Sequence, residues 1–105
     1  MKELEIIKEA IELLNNVNHT EITLLGCEYV PEVAQCVINL ESKFFHKTPS
    51  HKIQMRLGMG WFRPDVELGI EDRLPKIPED ITGDKYVLLR VAAWIYFRWK
   101  NGGSF

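Results

Sequence analysis

Leu4, Ile6, Ile7, Ala10, Ile11, Leu13, Leu14 and Val17 fall on one half of a wheel drawn at about 100° per residue, and Lys8, Glu9, Glu12, Asn15 and Asn16 fall on the other. This spacing predicts an amphipathic helix over residues 2–17, with Glu3 in the first turn, where an acid suits the helix dipole. The stretch Ile22–Cys27 is short and β-rich and reads as a strand. From 31 to 45, Val33, Cys36, Val37, Leu40 and Phe44 recur at helical spacing, with Pro31 at a first-turn position, and the pattern predicts a second helix. Glu41 would then sit inside an apolar helix face.

Period 2 takes over after Lys47–Ser50. Ile53, Met55, Leu57, Met59 and Trp61 alternate with Gln54, Arg56, Gly58, Gly60 and Phe62, which predicts a strand. Val66, Leu68 and Ile70 alternate again, so residues 52–70 read as a β-hairpin. Gly58 and Gly60 read as a bend or a close backbone approach. Pro75, Pro78 and Gly83 mark an irregular connection, and residues 84–100 form a last helix. The expected order is α-β-α-β-β-α. The economical fold is a single α+β domain over 1–105, a three-stranded antiparallel or mixed sheet with helices mainly on one face.

Composition supports a packed domain. The chain has 105 residues, 46% hydrophobic and 27% charged, within the range of folded proteins. The two cysteines, Cys27 and Cys36, are too few for a disulfide framework, so reduced thiols are expected. No secretory leader pattern and no long apolar run is found, and the expected location is the cytoplasm, or the host cytoplasm if the protein is viral, with no membrane contact. The formal charge of −2 hides segregation: residues 43–63 carry five basic residues and no acid, and residues 85–100 carry four and none, while the rest is acidic.

The last helix is the informative element, because apolar residues reach nearly all its sides. A helix of that kind is buried by its own chain or covered by another, and Trp, Tyr and Arg anchor protein interfaces. The leading expectation is therefore a non-catalytic interaction module, a small adaptor, inhibitor or assembly factor that self-associates. Trp94, Tyr96, Phe97, Arg98 and Trp99 would form its working surface. A second reading is a nucleic-acid or polyanion binder through Lys52, Arg56, Arg63, Arg90 and Lys100, with stacking aromatics nearby. A third is a small hydrolase or nuclease using His46 and His51 as acid and base. No catalytic motif accompanies those histidines, and the sequence implies no cofactor. The Cys27 to Cys36 spacing is not that of a structural zinc knuckle, so no metal is expected.

Overall fold

The computed structural model describes residues 2–43 and 51–100, the side chains of Lys43 and His51 excepted. The amphipathic N-terminal segment forms α1, Lys2–Val17. Three strands follow: β1, Glu21–Val30; β2, Gln35–Lys43; and β3, His51–Gly58. They make one antiparallel sheet in the order β1-β2-β3. A one-turn 3-10 helix, Met59–Phe62, and an irregular run lead to α2, Gly83–Lys100. The α+β class and the antiparallel three-stranded sheet stand as the sequence predicts. No described helix is long and apolar enough to cross a membrane.

The element order differs from expectation at two places. Residues 31–43 of the expected 31–45 helix are not helical, and 44–45 lie outside the described residues: Pro31–Ala34 make a turn, with Ala34 at φ +50°, and β2 follows. Cys36, Ile38, Leu40 and Ser42 point into the core at period 2. Val37 misleads the helical reading. It faces the other side of the sheet, yet Glu28 and Arg56 flank it across the strands and it is buried too. Three consecutive buried residues then imitate a helix face. The second correction is the 52–70 hairpin, which has only its first arm. β3 ends at Gly58, and Val66–Ile70 packs as irregular chain. A Cβ on Gly60 would lie 3.1 Å from Val66 Cγ1, so the glycine permits that close approach.

The helices and the sheet share one core. Ile7, Ala10 and Leu14 of α1 meet Ile38, Met55 and Leu57 of the sheet and Val87, Val91 and Ile95 of α2. The opposite sheet face carries polar residues. There Glu41 stands in register with Lys52, and Gln54 Nε2 donates to Asn39 Oδ1 at 3.1 Å.

The bond from Met59 N–H to the Ala34 carbonyl sets the hydrogen-bonding parity of the sheet. Even-numbered β2 residues bond β3 and odd-numbered ones bond β1, because peptide groups alternate along a strand. Leu25 is a bulge in β1. Ile22, Leu24, Cys27 and Tyr29 therefore turn their peptide groups to one outer edge, and Lys52, Gln54 and Arg56 to the other.

Both edges are partly closed by side chains. Asn15 of α1 pairs with Ile22 as a neighbouring strand would: its Nδ2 donates to the carbonyl at 2.9 Å and its Oδ1 accepts from the N–H at 3.0 Å. Thr20 Oγ1 donates to the same Oδ1. Arg98 Nη2 donates to the Gln54 carbonyl at the far edge. We expect Asn15→Ala to lower the unfolding free energy by about 1–3 kcal/mol, since it orphans part-buried peptide groups. A urea midpoint that falls with an unchanged slope would record it.

Candidate functional site

α2 is a helix without a solvated polar stripe. Asp84, Lys85 and Lys100 are exposed near its ends, and every residue from Tyr86 to Trp99 is buried or partly buried. Val87, Arg90, Val91, Ala92 and Ile95 occupy the buried arc. At 3.6 residues per turn, Leu89, Ala93 and Tyr96 line the opposite arc, with Tyr86 and Phe97 beside them. That outward arc bears no charge between Lys85 and Lys100.

The five aromatic and arginine candidates divide between the two sides. Trp94 leans inward, 5.6 Å from the Trp61 ring, and stacks on Phe97 at 5.6 Å and 10°. Trp99 also leans inward, its Nε1 donating to Ser42 Oγ. Tyr96 stacks on Trp99 from the outward side. Arg98 holds the sheet edge, and burial lowers its pKa. Tyr96 and Phe97 are thus the two nominated residues on the outward arc. Leu89 and Ala93 complete it without having been singled out. Their spacing with Tyr96, at i, i+4 and i+7, was the available signal.

A cleft of about 360 Å³ adjoins this arc. Leu74, Pro75 and Ile77 form one wall, and Tyr86, Arg90 and Ala93 of α2 the other. Its floor is held by Arg90, which is 1% exposed. Nη1 donates to the Val66 carbonyl at 2.8 Å, and Nη2 faces the carbonyls of Gly60, Trp61 and Arg63 at 3.0–3.1 Å. The Tyr86 and Trp61 rings lie 5.1 and 5.8 Å from the guanidinium carbon. Arg90 is therefore a clasp on the irregular segment, inside the protein.

Glu71 closes the clasp. Its Oε1 accepts from Leu68 N–H at 2.6 Å and lies 3.7 Å from Arg90 Nη1. The Leu68 N–H, above all, lowers the carboxyl pKa below its ordinary 4.5. A depressed carboxylate stabilises the fold fully above its unfolded pKa, and that contribution disappears as pH falls through the folded value. Glu71→Gln should therefore flatten the loss of stability between about pH 5 and pH 3, with the two proteins converging at the acid end. Chemical denaturation across that range checks it.

Of the other basic candidates, Lys52 and Arg56 are exposed on the open sheet face, Arg63 follows the 3-10 turn, and Lys100 ends α2. On the sheet the cations are accompanied: Glu41 is opposite Lys52, and Glu28 and Arg56 flank Val37. His46 and the His51 side chain lie outside the described residues. Cys27 and Cys36 are free thiols, and burial, followed by the Cys27 neighbour, pushes Cys36 up to about 11. Among the described residues no three His, Cys, Asp or Glu side chains gather as a metal site would need.

No family model, curated protein or solved structure matches this chain. The site is therefore read from its own chemistry. An uncharged helix face offers contact area and few polar groups, a composition suited to another protein surface, and the cleft beside it adds Glu71, Asp72 and Lys76 to its apolar lining.

Proposed function

We propose that this chain is a non-catalytic protein-interaction domain, a small adaptor, inhibitor or assembly factor, and that it self-associates through the outward arc of α2. The observation that supports this reading is the absence of charge on that arc between Lys85 and Lys100, where a solvated helix would carry polar residues. Two copies related by a twofold axis present the same patch to each other. Ala93 allows close approach of the backbones. An antiparallel crossing centred near Ala93 opposes the two helix dipoles. Leu89, Ala93 and Tyr96 are already partly covered, so the contact is modest in area, and micromolar association is expected. The proposed setting is the cytoplasm, where Cys27 and Cys36 would stay reduced.

Static light scattering at micromolar concentration tests the proposal. The mass should rise with concentration toward that of a dimer, and Ala93→Glu should return it to the monomer value without changing the circular dichroism. A constant monomer mass for the wild type would refute it, as would a dimer indifferent to Ala93→Glu.

A further inference from the structure

The two sheet edges are not protected alike. β3 carries Lys52 and Arg56, and Arg98 occupies the Gln54 carbonyl. β1 carries no lysine, arginine or internal proline, the residues that usually blunt an edge. Asn15 closes its beginning at Ile22, and the Leu25 bulge interrupts it. Beyond the bulge, the peptide groups of Cys27 and Tyr29 face outward, and among the described residues no group bonds them.

Among the described residues four large apolar side chains are exposed; Val17 is at the end of α1, and the other three lie along β1 and the turn that follows it. Leu25 is 49% exposed, Tyr29 40% and Val33 53%. The chain that forms this edge is acidic: from Glu9 through Ser42 it has acids and no lysine or arginine, and Glu28 and Glu32 are exposed at the open edge and the turn after it, with Arg56 two strands away across Val37.

We infer that the Cys27–Val30 edge of β1 accepts an extended basic peptide segment as a fourth strand. Main-chain hydrogen bonds to Cys27 and Tyr29 would supply affinity, and alternating apolar and cationic side chains would meet the Tyr29 side and the Glu28 side of the sheet. A second copy of β1 suits the edge poorly. Pairing Cys27 with Tyr29 of the partner subunit sets Glu28 directly across from its own copy. Pairing Tyr29 with itself sets Cys27 against Pro31, which has no N–H. This surface is separate from the outward arc of α2, and either can fail without the other.

The test is calorimetric titration of the full chain, in the Ala93→Glu background as well as the wild type, with a short capped peptide of alternating lysine and valine. The expected result is one-to-one binding that weakens with salt. Glu28→Lys should weaken it by about tenfold or more through charge reversal. Tyr29→Pro, which removes an outward N–H at an edge that tolerates proline, should abolish it. A glutamate–valine peptide should not bind. Absence of binding, equal binding of the glutamate–valine peptide, or binding unmoved by Glu28→Lys overturns the inference. Should Tyr29→Pro fail to fold, Glu28→Lys alone decides.

Discussion

Replacing Arg90 by methionine should destabilise the protein by about 3–5 kcal/mol, the cost of breaking a buried charged network by removing one partner. The native domain is expected to hold only about 5–15 kcal/mol in total, so the variant should be partly unfolded at temperatures the wild type survives. The reason is geometric. The guanidinium serves the carbonyls of Gly60, Trp61, Arg63 and Val66 at once, with Glu71 at 3.7 Å. Methionine fills the volume and serves none of them. Arg90→Lys should fare little better, because one ammonium has three donors and no planar fork. Thermal and urea unfolding of both variants measure this, and a loss below about 1 kcal/mol in each would show that the carbonyls find other partners.

Ser42→Lys should cost more than about 4 kcal/mol, in the range reserved for specific disruptions, whereas Val33→Lys should be close to neutral. A helix over 31–45 predicts the reverse, since it places Val33 on the apolar face and Ser42 on the polar one. In the folded chain Ser42 is 2% exposed and accepts from Trp99, while Val33 is 53% exposed at the tip of a turn. A lysine at Ser42 would force an ammonium and extra volume into the core. Equilibrium denaturation of the pair decides between the two placements of this segment.

That segment shows why the sequence was only partly legible. α1 and β3 as far as Gly58 each follow one period and are found where it puts them, the period-2 run beyond Gly58 turns into the 3-10 helix Met59–Phe62, and α2 is found although its apolar residues keep to no stripe. Residues 35–43 belong to a central strand, whose buried Val37 breaks the alternation that marks a half-buried strand. In β1 the Leu25 bulge shifts the inward set from Ile22 and Leu24 to Cys27 and Tyr29, which erases a period-2 signal by local means. The candidate site was legible as a helix with too little polar surface. Which side would stay open was not, because that depends on where the 59–77 segment packs, and Arg90 fixes the start of that segment through contacts 24 to 30 residues away in the chain. A basic residue in a basic block reads as an anion ligand, and only the fold shows that its partners are backbone carbonyls.

Amide chemical shifts followed by NMR on dilution from millimolar to micromolar protein test the central proposal most directly. Self-association through α2 predicts concentration-dependent shifts concentrated at Leu89, Ala93, Tyr96 and Phe97, and none in the Ala93→Glu variant. Spectra that do not change on dilution, or changes confined to β1 and the turn after it, would contradict it.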